Sequence, residues 1–115
     1  MAAAESAHDP AIGIDEATLT RDRRGAEQPM GIWKIATGLW GVGTGSGSEY
    51  AEYVVDLREG RCSCEDWAYR GTPGSGQIAR CKHSSRVLMA LGRIRPPADA
   101  DIDHALEAQR KRWSA

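Results

Sequence analysis

All three cysteines of the chain fall in one stretch, "RCSCEDWAYRGTPGSGQIARCKHSSRVL", which also holds one of its three histidines. They form two short pairs, Cys62-Ser63-Cys64 and Cys81-Lys82-His83. Two thiols at i and i+2 on an extended strand point the same way and can reach one ion. The second pair cannot do that inside a helix, where residues two apart diverge by roughly 200°. Cys81 is therefore expected in the lead-in to a helix and His83 in its first turn, where free N–H groups favour a thiolate. Sixteen residues separate Cys64 from Cys81, with three glycines and one proline among them, enough slack to fold the second pair onto the first. Three sulfurs and an imidazole suit one tetrahedral Zn²⁺ and disfavour the hard cations Mg²⁺ and Ca²⁺. The competing reading is three buried, inert thiols. His8, in the expected N-terminal tail, and His104, on an amphipathic helix, make poorer ligands.

The elements that must position this set follow from punctuation and period. Residues 1–15 are small, polar and aperiodic, and are expected to form a flexible tail; 16–115 are expected to form a single zinc-binding domain. "DEATLTRDRRGAEQ" predicts a helix with Asp15 as N-cap and Pro29 forcing an exit, on a thin apolar stripe of Ala17, Leu19 and Ala26. Residues 31–42 and 48–57 each read as a strand, with Ala51, Tyr53, Val55 and Leu57 alternating onto one face of the second. Gly60 suits a tight turn into "RCSC", a third short strand. "EDWAYR" is long enough for one helical turn, and a helix is expected from Lys82 or His83 to Gly92. A last helix is expected after Asp99 or Asp101, with Arg110, Lys111 and Arg112 at its end suiting the helix dipole. The fold class is thus α+β: a small antiparallel sheet of three or more strands followed by helices, with a ββα unit at the cysteines. The glycine-rich loops at 43–48 and 71–76 read as linkers, since the first lacks the Lys-Ser/Thr of a phosphate-binding loop.

Composition narrows the class further. The chain has 115 residues, 41% of them hydrophobic, and no Phe, so Trp33, Trp40, Trp67, Tyr50, Tyr53 and Tyr69 must fill much of the core. No apolar run approaches membrane-spanning length, no secretion signal is evident, and an odd number of cysteines argues against a disulfide framework; a cytoplasmic location is expected. The net charge of −1 is unevenly spread. Residues 1–57 carry four basic and nine acidic side chains, whereas 58–95 carry eight basic and three acidic. The cysteine segment is locally cationic.

"YVVDLREGRCSCEDW…RCKHSSRVLMALG" resembles the SWIM-type zinc finger, whose pattern is Cys-x-Cys, a variable loop, then Cys-x-His. The flanking features agree: an apolar strand ending in Asp, an acidic-aromatic step after the first pair, and Lys before the His. The match covers about residues 53–91. More loosely, "RDRRGAEQPM" and "GLWGV…GSEYAEYVVDL" resemble the lead-in of small archaeal and bacterial proteins bearing this finger. The resemblance implies a ββα unit around one zinc, with DNA or protein as partner.

A closed four-ligand site builds structure and leaves no position for substrate, so no enzyme is expected and no small-molecule substrate. Two partner classes remain. Lys82, Arg86 and Arg93 fall at i, i+4 and i+11 with Met89 between them, a stripe that could meet phosphate, extended by Arg70, Arg80 and Arg95. DNA is preferred over RNA on this reading, without base-specific contacts, because no Asn or Gln joins the stripe. The alternative is a protein-interaction module, favoured by the acidic N-terminal half and by Trp40, Trp67 and Trp113 as candidates for partial exposure.

Overall fold

A computed structural model describes residues 15–44, 51–71 and 78–114. Residues 1–14 of the expected tail and most of the two glycine-rich loops therefore lie outside the described residues, whereas Asp15 belongs to the start of the first helix. The architecture is α+β. Helix α1 (Glu16–Glu27) precedes a four-stranded antiparallel meander of β1 (Met30–Ala36), β2 (Leu39–Thr44), β3 (Tyr53–Asp56) and β4 (Arg61–Cys62). Three helices follow: α2 (Glu65–Arg70), α3 (Lys82–Ala90) and α4 (His104–Trp113).

Helix α1 starts where Asp15 accepts a hydrogen bond from the Thr18 N–H at 2.7 Å, and it ends one residue before Gln28 and Pro29. The segment 31–42, expected to be one strand, is instead a hairpin. Thr37 and Gly38 interrupt it, and Gly38 takes a φ of 74°, a conformation that only glycine adopts without strain. Strand-forming residues flank this short turn on both sides and concealed it, and the pairing shifts register between Lys34 and Ala36. Gly60, at a φ of 67°, turns the second hairpin as expected. There the Asp56 carboxylate accepts from the N–H groups of Arg58 and Glu59 and from the Arg58 guanidinium, which together hold its pKa below the usual carboxylate value.

One face of the sheet packs on the helices. Ile32, Trp40, Val42, Val55 and Cys62 meet Val87, Met89, Ala90 and Leu106 in a single buried cluster. Trp40 is buried, not partly exposed, and Trp113 of α4 meets it edge-on with ring centroids 4.9 Å apart. Trp33, Trp67 and Tyr53 are half-buried, while Tyr69 stays exposed and contributes little to the core. Among the described residues no helix is long and apolar enough to cross a membrane.

Helix α3 lies at the centre of the helical layer. Helix α1 crosses it closely at Gly25, where a Cβ would come within 2.8 Å of the Lys82 carbonyl oxygen and 2.9 Å of the Ser85 Cβ. Beside that crossing, the buried Asp22 carboxylate accepts from the Ser85 hydroxyl at 2.6 Å and from both arms of Arg80 at 2.8 and 2.7 Å. Farther along, Arg86 is fully buried and uses all five of its donors. They go to Gln109 Oε1, Asp103 Oδ2 and the carbonyls of Gly25, Gln28 and Met30. Two of these carbonyls, with Ala26 O bound by the Asp103 N–H, belong to the C-terminal end of α1, which would otherwise be unsatisfied. Burial draws the pKa of Arg86 below the usual guanidinium value, while the Asp103 carboxylate opposes the shift.

Two substitutions test this packing. Gly25→Ala is expected to lower the thermal midpoint, because overpacking at about 1–3 kcal/mol exceeds the helix-propensity gain of at most about 1 kcal/mol. An unchanged or raised midpoint would contradict the close crossing. Arg86→Ala strands the Asp103 charge in the core and is expected to cost about 3–5 kcal/mol in denaturant titration, with Arg86→Lys recovering little because a lysine cannot reach five acceptors.

Candidate metal centre

Four side chains converge where β4, α2 and α3 meet. Cys62 ends β4 opposite Val55, and Cys64 is the N-cap of α2, its sulfur accepting from the Trp67 N–H at 3.4 Å. The first pair is thus a strand end followed by a helix cap, not two positions of one strand. The backbone stays extended at Cys64, and Ser63 continues the pairing to Val54, so both sulfurs still emerge on one side. Cys81 is the N-cap of α3, accepting from the Ser84 N–H at 3.5 Å, and His83 lies in the first turn, where the i,i+2 argument put them.

The four ligand atoms lie within 4.8 Å of one another and all four residues are buried. His83 Nδ1 is 3.9 Å from both Cys62 Sγ and Cys81 Sγ. A tetrahedral zinc with Zn–S near 2.3 Å and Zn–N near 2.0–2.1 Å sets its ligands roughly 3.6–3.8 Å apart, so the spacing is that of a single ion's shell. Nδ1 is turned to the sulfurs and would be the ligand atom. His83 Nε2 is buried without a hydrogen-bond partner among the described residues, and the ring is steadied by Tyr53, stacked at 4.2 Å.

The thiols fit a cation electrostatically as well. Hydrogen bonds from Cys62 and Cys64 pull the Cys81 thiol far down against the effect of burial. The same contacts, to Cys64 and Cys81, push Cys62 up, and burial adds to the rise. Cys64 is lowered by its bond with Cys62, but the bond with Cys81 and burial outweigh this and leave it raised. The three sulfurs are thus coupled, each stabilising negative charge on its neighbours. All three sulfurs become thiolates together only with a dication between them. Cys62, Cys64, Cys81 and His83 can hold one metal ion, and their donor set is that of zinc.

Helix α1 braces both arms of the site, a contribution its thin apolar stripe did not suggest. Arg21 forms a two-bond pair with Asp66, two residues past Cys64, at 3.0 and 2.8 Å. That pair holds the Asp66 carboxyl below its ordinary value. Thr18 Oγ1 accepts from the Ala79 N–H, and Asp22 holds Arg80 and Ser85, on either side of Cys81. The signal in the sequence is a buried row of small and polar residues, Thr18, Asp22, Gly25 and Ala26, at helical spacing.

The cationic stripe expected on α3 is not there. Arg86 points into the core, Arg80 is tied to Asp22, and Lys82 Nζ donates to Gln28 Oε1 at 2.8 Å. Helix α3 ends at Ala90 and the chain turns at Gly92, with a φ of 74°, so Arg93 does not continue the stripe. Met89, expected on that open face, is fully buried. The expectation assumed a two-layer ββα finger with a solvent-facing helix, whereas α1 and α4 enclose this one. Arg93 and Arg95 remain exposed beyond the helix, and Arg70 is half-buried at the end of α2. No family model matches the chain, nor does any curated protein or solved structure.

Cys62→Ser is expected to abolish stoichiometric zinc in metal analysis and to lower the thermal midpoint, because the ion joins three elements that share few other contacts. A variant with unchanged zinc content and midpoint would mean that these residues do not form a metal site.

Proposed function

We propose that the chain is a non-catalytic, zinc-stabilised module that binds another protein. The observation that carries this reading is the closed set of four buried protein ligands. Four ligands fill a tetrahedral sphere and leave no position for water or substrate, so a zinc held here cross-links β4 to the starts of α2 and α3. The Cys-x-Cys…Cys-x-His resemblance to SWIM-type fingers over residues 53–91 supports the same reading, since protein is one of the partner classes that resemblance implies.

Between the two partner classes, protein is favoured over DNA. The nucleic-acid reading rested on an open cationic face of α3, and Arg86, Arg80 and Lys82 already bond within the fold. Of the cations that reading named, only Arg93 and Arg95 stay fully exposed, too few on that side of the molecule for more than weak, salt-sensitive phosphate binding.

Zinc-loaded full-length chain is expected to co-elute with a stoichiometric protein partner, to lose it on zinc removal or in Cys62→Ser, and to show no retention of duplex or single-stranded DNA or RNA at low salt. Salt-sensitive nucleic-acid binding weakened by Lys82→Ala, Arg93→Ala and Arg95→Ala together would restore the nucleic-acid reading and reject this one.

A further inference from the structure

Among the described residues the sheet has an open edge at β1, and the backbone bonds fix which of its groups face outward. On the far side of β2, the Gly38 carbonyl accepts from the Leu57 N–H, so Gly38 faces β3, and with it Trp40 and Val42 at two-residue intervals. Their opposite residues on β1 are Lys34 and Ile32. In an antiparallel pair, facing residues exchange both hydrogen bonds or neither, so Ile32 and Lys34 direct their N–H and C=O groups away from β2. Met30 has the same parity. Its carbonyl does point outward, accepting from Gln109 Nε2 at 2.7 Å and from Arg86. Beyond Met30 that role stops: the outward groups of Ile32 and Lys34 have no partner among the described residues.

These groups form one wall of a groove of about 690 Å³, and α4 forms the other with Ala108, Lys111 and Arg112. Lys34 lies on the same sheet face as the core residue Ile32, and so on the side of α4. Among the described residues, three cations line the groove and no carboxylate does. Its aromatic ring at the α4 end is already engaged: Trp113 meets Trp40 edge-on, and the Arg112 guanidinium lies 5.0 Å over its face. Trp33 lines the groove from β1, and the unpaired main-chain donors and acceptors of that strand suit a peptide.

We propose that this groove binds an extended, acidic peptide segment of a partner protein, which adds to β1 as a fifth strand. Its main chain would bond the outward groups of Ile32 and Lys34, and its alternate side chains, facing α4, would carry carboxylates to Lys34, Lys111 and Arg112. An edge lysine discourages indiscriminate strand pairing, and here it would select for acidic partners. The inference rests on the protein-binding reading above and names the partner's chemistry.

The test uses zinc-loaded full-length chain and a labelled, blocked peptide of about eight alternating Glu and Val residues, the length of a typical strand. Fluorescence anisotropy is expected to detect binding. Affinity should fall by about tenfold or more when alternate amides are N-methylated, or when Lys replaces Glu. Lys34→Glu with Lys111→Glu, both exposed, should cause a comparable loss with zinc content and thermal midpoint unchanged. Lys34→Pro, which removes an outward N–H at an edge position, should weaken binding more than Lys34→Ala. The proposal is overturned if the peptide does not bind, if the N-methylated form binds equally well, or if an oligothymidylate of matching length displaces it. A zinc-dependent partner captured equally by the parent and the charge-reversed chain would reject the groove while leaving the module reading intact.

Discussion

Helix α3 is fixed at two points little more than one turn apart, and the arrangement of the other elements follows from that constraint. At its first turn, Cys81 and His83 join Cys62 and Cys64 in a set that can hold one ion. One turn on, Arg86 donates to α1, β1, α4 and the loop before α4. A buried guanidinium is tolerable only when its donors are satisfied and its charge is paired. Asp103 supplies the counter-charge, which is why this residue precedes α4 without capping it through its side chain. Its carboxylate is turned inward, and the helix starts without that stabilisation. A local preference yields to a tertiary one at this position.

The metal set was legible in the sequence because its chemistry is local and its residue types are scarce. Three cysteines and a histidine in two i,i+2 pairs constrain the backbone strongly, and the placement of Cys81 and His83 at a helix start followed from helical geometry. The α+β class, the cap at Asp15 and the turn at Gly60 were legible for the same kind of reason. The hairpin at Thr37 and Gly38 was not, because residues suited to strands lie on both sides of so short a turn. Arg86 was harder still. Its sequence context gives a cation at i+4 from Lys82, which is the pattern of a solvated stripe. What inverts its role is the packing of α1 and α4 around α3, and that is set by contacts far away in sequence: Gly25, Met30, Asp103 and Gln109.

The same distinction explains the polar inner face of α1. A helix that docks through apolar side chains announces itself by a hydrophobic stripe. This helix docks through a glycine contact, a buried carboxylate and a threonine hydroxyl, each meeting a specific polar partner on the chain around Cys81. Such contacts contribute less through area than through geometry, since a displaced partner leaves Asp22 or Arg80 unsatisfied in a poorly solvated place. The bracing therefore favours one position of the Cys81 arm over its neighbours, which is the positional demand a four-ligand site makes on its supporting residues.

A metal set at β4 and a groove at β1 lie at opposite edges of the sheet, yet a series of contacts joins them. The link runs through α3. Arg86 holds the carbonyl of Met30, at the start of β1, and the side chain of Gln109, on α4, and these two elements are the walls of the groove. Gln109 itself bonds Met30 O, which closes the arrangement into a triangle. If the first turn of α3 were released, Arg86 would lose its fixed position, and the triangle that sets the spacing between β1 and α4 would lose one corner. A structural ion can thus act on a surface it never touches. Its contribution there is to keep one helix in place, because interiors packed this closely respond to displacement by discrete rearrangement instead of gradual yielding.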